Sequence, residues 1–115
     1  MAISKQYNVP AEATLDVIGG KWKTITLCHL TQGPKRSGEL MKLMPKITRK
    51  MLTQSLRELE ADGLISRTVY NEIQLKVVYE LTELGQSLHP LLTQLCLWGE
   101  QLIEHQMKQK DNKII

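Results

Sequence analysis

The chain has 115 residues, a formal charge of +3 and 42% hydrophobic residues, with no Phe among them. That size fits one domain over 1–115 with a core built from Leu, Ile and Met, and the mild charge permits an acidic partner without demanding one. No apolar run approaches the roughly 18 residues that span a membrane, and the N-terminus lacks a charged-then-apolar signal pattern. A cytoplasmic protein with no membrane partner is expected.

In chain order, residues 11–19 read as a short helix, interrupted at Gly19-Gly20. A second helix follows over 21–30, where Ile25, Leu27, Cys28 and Leu30 make it apolar on most sides and central to a core. The Gln32-Gly33-Pro34 turn ends it. Ser37 is the expected N-cap of a third helix over 37–43, which Met44-Pro45 stops because a residue before proline is pushed out of the helical region. Thr48 caps the next helix, about 48–62, and Asp62-Gly63 ends it with an expected left-handed glycine.

That fourth segment has two faces. At 100° per residue, Leu56 and Leu59 fall within about 40° of Leu52, while Lys50, Gln54 and Arg57 lie opposite with Thr53 at the edge. A helix that buries leucines and offers Lys, Gln, Thr and Arg outward suits a DNA major groove. Arg and Lys donate to guanine, Gln pairs with adenine, and the Thr methyl meets that of thymine. Most amphipathic helices are only solvated surface helices, so the neighbouring elements have to decide. Two short helices with a tight turn form a helix-turn-helix. Residues 64–70 and 76–81, rich in Val, Ile, Tyr and Thr, read as a hairpin with Asn71 and Glu72 between its strands. The fold class is therefore mainly α with a small β-hairpin (α+β), a winged helix-turn-helix with its wing at about 64–81.

The remainder, from Thr82, is helical. Leu84, Leu88, Leu91, Leu95, Trp98 and Leu102 are spaced 4, 3, 4, 3 and 4, a heptad seam. Pro90 should kink this helix or begin a new one. Leu92, Leu97 and Ile103 lie outside the seam, and this surplus suggests a dimerisation surface at about 83–108. Residues 106–115 read as a polar, frayed tail.

Base-edge contact falls to Lys50, Thr53, Gln54 and Arg57. Phosphate contact falls to Arg36 and Ser37 at a helix start, to Thr48 and Arg49, and to Lys76 near the hairpin tip. Glu58, Glu60 and Asp62 stand close enough to engage Arg57 locally instead.

The motifs IGGKWK (18–23), RSGEL (36–40), P-x-IT-x-KMLTQSLRELEADGLI (45–65), VYELTELGQSL (78–88) and WGE (98–100) resemble the HxlR-type family, related to MarR-type regulators. The resemblance covers about 12–100. It implies a homodimeric winged-helix repressor or activator of transcription on a palindromic operator, the repressor being the expectation. The dimer would use the N-terminal helix (Leu15, Ile18) and the C-terminal helices (Leu91, Leu95, Trp98, Leu102). The recognition helices would then lie about 34 Å apart, one turn of DNA. Some relatives sense electrophiles through a Cys-Pro pair before the first helix, where this chain has Val9-Pro10. Many carry proline before the second wing strand, where it has Gln74-Leu75.

Cys28 and Cys96 sit far apart in sequence within apolar helical patterns, so no structural disulfide is expected. In such a setting a thiol is usually inert core packing; the alternative is a redox-sensing role for Cys28, whose pKa His29, Lys21 and Lys23 nearby could lower. His29, His89 and His105 form no metal or acid–base cluster. No Gly-rich phosphate loop follows a strand. An enzyme is not expected, nor a cofactor, and no effector is identifiable. The alternative function is a winged-helix protein-interaction module without DNA binding. Its mark would be an acidic or apolar outer face on 49–57, which this sequence does not have.

Overall fold

The computed structural model describes residues 6–70, 73 and 75–113. Asn71, Glu72 and Gln74 of the expected wing tip lie outside the described residues. The elements run α1 (Ala11–Ile18), α2 (Lys21–Leu30), α3 (Ser37–Leu43), α4 (Arg49–Ala61), β1 (Ile65–Tyr70), β2 (Lys76–Leu81), α5 (Glu83–Gln86) and α6 (His89–Lys113). The strands pair antiparallel from Ile65↔Leu81 to Tyr70↔Lys76. A mostly helical chain with a two-strand hairpin following α3 and α4 is the winged-helix architecture.

Local chemistry explains the boundaries. Met44 leaves the helical region at φ −125°, ψ 72°, as a residue before proline must. Thr48 caps α4, its Oγ1 accepting from the Met51 N–H at 3.1 Å. Gly63 ends α4 at φ +78°, where a side chain would be strained. Thr82 then locks the far end of the hairpin to this turn. Its hydroxyl donates to the Gly63 carbonyl at 2.6 Å and accepts from the Gly85 N–H at 3.1 Å. Gly85 is needed there, because a Cβ would lie 2.1 Å from the Leu64 carbonyl oxygen.

α3 starts differently from the sequence expectation. Arg36, not Ser37, is the N-cap residue, and Ser37 is the first helical residue. The capping acceptor is the Glu39 carboxylate, which receives the Arg36 backbone N–H at 2.9 Å. A three-residue reach from a glutamate substitutes for the serine hydroxyl.

The core gathers Leu27 and Leu30 of α2, Leu40 of α3, and Leu52, Leu56 and Leu59 of α4 with Leu64, Ile65 and Leu81 of the hairpin. Ile18 also belongs to it. At 5% exposure it is a core residue of the protomer, which corrects its assignment to a dimer interface. Leu15, one turn earlier on α1, is 62% exposed.

In the C-terminal part Pro90 begins a new helix, as expected, while Leu92 and the tail differ from the sequence reading. The chain breaks between α5 and α6, and Pro90 sits in the first turn of α6, where its missing N–H costs nothing. Leu92, read as lying outside the seam, is the residue that enters the core, with Leu88 packed beside it. The helix also runs to Lys113 rather than fraying from 106. The Gln, Lys and Glu residues there are good helix formers, which polarity alone does not reveal. Among residues 93–111, Gly99 is half-buried and all others are exposed.

Candidate nucleic-acid interface

α4 is held with one face down. Leu52, Ser55, Leu56 and Leu59 are buried, while Arg49, Lys50, Thr53, Gln54 and Arg57 are exposed. The four base-edge candidates thus share the outward side of one helix. Gln54 donates from Nε2 to Glu58 Oε1 at 3.1 Å, which pre-positions the amide along the helix. Glu58 also faces Lys23 of α2 at 3.7 Å, the lysine side chain largely covered and the carboxylate exposed. Arg57 makes no ion pair with Glu58, Glu60 or Asp62 among the described residues. It lines a cleft of about 410 Å³ with Thr53, Glu60, Arg67 and Tyr79.

Around this helix lie the residues assigned to phosphate. Arg36 is exposed and Ser37 half-buried, and both line a cleft of about 400 Å³ between α3 and the second wing strand, together with Lys42, Leu75 and Val77. Glu39 shares that cleft and takes the Arg36 backbone N–H, so any anion there must be held by the Arg36 and Lys42 side chains. Lys76 lies cross-strand from Tyr70, with Nζ 6.0 Å from the ring centroid. This contact restrains the lysine at the base of the wing tip.

Three features were missed by sequence reasoning. Lys35 forms an isolated antiparallel bridge to Tyr79, with mutual backbone hydrogen bonds of 2.9 and 2.8 Å. It ties the α2–α3 turn to β2, fixing the wing relative to the helix pair. Arg67 and Lys42 line the two clefts beside α4 and α3. Arg67 was legible as an outward residue of β1, but its place beside Arg57 was not. Third, Cys28 of α2 and Cys96 of α6 lie close enough to influence one another electrostatically. Burial pushes the Cys28 thiol above its ordinary pKa, and the neighbouring Cys96 adds to this. The expected lowering by Lys21 and Lys23 is therefore corrected, since desolvation disfavours the thiolate. His29 moves down, mainly through burial and secondarily through the Lys35 charge.

Among the described residues no group of His, Cys, Asp and Glu could hold a metal ion, and no helix is long and apolar enough to cross a membrane.

Comparison with known proteins gives a consistent result. A model of the HxlR-like helix-turn-helix family matches residues 17–107. The HTH-type transcriptional regulator YtcD of Bacillus subtilis (strain 168) is 64% identical over 95 residues, 83% of this chain and 75% of that protein. Its relative YkvN, from the same organism, is 49% identical over 111 residues, 96% and 94% of the two chains. Among solved structures, the redox regulator HypR in its oxidized form superposes with a TM-score of 0.78 at 52% identity, covering 81% of this chain and 96% of that one.

Proposed function

The chain belongs to the HxlR-like helix-turn-helix family of DNA-binding transcriptional regulators, and we propose that it works as a homodimer whose two α4 helices read a twofold operator to repress transcription. The observation that carries the reading is the division of α4. Its leucines are buried, and Lys50, Thr53, Gln54 and Arg57 are exposed on one outward face. These four have the donors, acceptors and methyl group needed at base edges. Arg36, Ser37, Thr48, Arg49 and Lys76 flank them as the phosphate contacts, to which we add Lys42 and Arg67. Phosphate contacts set the register while α4 reads the sequence.

The exposed face of α6 supports the homodimer. The stretch 93–111 exposes Leu95, Leu97, Trp98, Leu102, Ile103 and Met107 with almost nothing of its own chain packed against them. A helix with this much free apolar surface gains most of its stability from packing, and a second copy supplies the same surface in return. Leu15 on α1 adds to the interface. A twofold protein implies a twofold operator, and a bound dimer covers the duplex that transcription must enter. Whether Cys28 answers to oxidants is a separate matter. Its raised pKa keeps it a thiol at neutral pH, which argues for slow reaction.

Lys50→Ala and Arg57→Ala are each expected to weaken binding to an operator duplex by about 1–3 kcal/mol and to relax sequence preference. Affinity for the duplex should also fall steeply with salt, through counterion release. Anisotropy titrations with unchanged affinity in both variants and a flat salt response would exclude DNA reading by α4 and favour a protein-interaction module.

A further inference from the structure

Gln54 stands on the outward face of α4 with part of its hydrogen-bonding capacity already used. Lys50, Gln54 and Glu58 follow one another at four-residue spacing, so they form one row along the helix. Gln54 donates from Nε2 to Glu58 Oε1 at 3.1 Å, and the second carboxylate oxygen, Oε2, lies 3.7 Å from Lys23 Nζ on α2. The Lys23 side chain is 13% exposed and that of Glu58 46%. The ammonium is thus held on the protein side, and the carboxylate links it to the amide at the surface. A carboxylate only accepts hydrogen bonds, so it fixes which end of the Gln54 amide turns toward it. One N–H is taken. The second N–H and the carbonyl oxygen remain for a base, one donor and one acceptor. In the major groove adenine shows the N7 acceptor beside the N6 donor, whereas guanine shows two acceptors, N7 and O6.

We propose, resting on the reading of α4 given above, that Glu58, held by Lys23, is the positioning residue that makes Gln54 select adenine and reject guanine. With Nε2 turned toward Glu58, an amide brought to guanine sets its carbonyl oxygen against O6, and two acceptors face each other unsatisfied. Lys23 acts in two ways. It fixes the carboxylate, and it offsets a negative charge that lies on the face turned to phosphates.

The test titrates the full chain with its selected duplex and with that duplex carrying each other base pair at every position. For the natural chain, one A·T pair in each half-site should be favoured over G·C by roughly 5–150-fold, the value of one bidentate contact. Gln54→Ala should lose that preference. Glu58→Gln keeps the shape but donates as well as accepts, so the Gln54 amide is released to turn either way. It should cut the preference at the same pair about tenfold, the worth of a hydrogen bond to a charged group, and leave the other positions as they were. Lys23→Met should lower the preference in the same direction, and Lys23→Arg should retain it. Replacing that adenine by 7-deazaadenine, which lacks the N7 acceptor, should cost the natural chain about 2–10-fold and Gln54→Ala nothing. A merely structural Glu58 would weaken binding to all duplexes alike and leave the preference intact. That outcome, or full preference in Glu58→Gln, would overturn the positioning role and leave the reading by α4 standing. A chain that selects no duplex would overturn both.

Discussion

A chain carrying Trp98→Glu and Leu102→Glu is expected to sediment as a monomer and to bind its operator about 10²–10⁴-fold more weakly, the factor that joining two binding modules provides. Both residues lie on the exposed side of α6, at 63% and 37% exposure, beside Leu91 at 40% and Leu95 at 45%. A carboxylate placed there faces its symmetry mate across an apolar contact, unpaired and desolvated, a strongly unfavourable arrangement. The protomer should keep its fold, because the residue that anchors α6 in the core is Leu92, at 2% exposure. Analytical ultracentrifugation beside a duplex titration reads both effects. A monomer that retains full operator affinity would separate dimerisation from DNA reading. A persistent dimer would place the interface elsewhere.

Leu59→Ala is expected to destabilise the chain by roughly 2–5 kcal/mol, the range for truncating a buried leucine. Leu59 is fully buried on the inner side of α4, in one cluster with Leu27, Leu40 and Ile65. Removing its isobutyl group leaves a cavity beneath the helix that carries the reading face. Thr53→Ala, on the outer side of the same helix, should stay within about 0.5 kcal/mol in stability, as surface substitutions usually do. Urea unfolding at fixed protein concentration separates the two, because dimer stability depends on concentration. A loss under about 1 kcal/mol for Leu59→Ala would contradict the assignment of faces on α4.

The parts of the fold that depend on neighbours in sequence were the legible ones. Thr48, the Met44-Pro45 stop, Gly63 and the period of Leu52, Leu56 and Leu59 each act within a turn or two, so α4 could be bounded and oriented without coordinates. The same holds for α2 and for both wing strands. What escaped depends on how distant segments meet. A heptad count finds an apolar stripe but not which stripe faces the core. In α6 it ranked Leu91, Leu95, Trp98 and Leu102 first, yet the residue of the helix that enters the core is Leu92, about 100° from Leu91. Ile18 and Leu15 look alike in sequence, and packing against α2 and α4 alone separates the buried one from the exposed one. The Lys35–Tyr79 bridge joins a turn to a strand far along the chain, and the nearness of Cys28 to Cys96 depends on where α6 lands on α2. Neither has a local signature.

The site followed the same division. Lys50, Thr53, Gln54 and Arg57 came from one helix and one period. Lys42 and Arg67 became visible only when α3 and the wing were placed on either side of α4. The helix-turn-helix carries the proposed reading face and the hairpin its proposed flank, so a count of charges in sequence sees the first and understates the second.

The central claim is that two α4 helices, related by a twofold axis, read base sequence. Selection of bound duplexes from a random pool by the full chain tests it most directly. The expected result is an inverted-repeat consensus whose half-sites lie about one helical turn, 10–10.5 base pairs, apart. Enrichment of a single unrepeated half-site would contradict the dimeric geometry, and no enrichment over the starting pool would contradict sequence reading altogether.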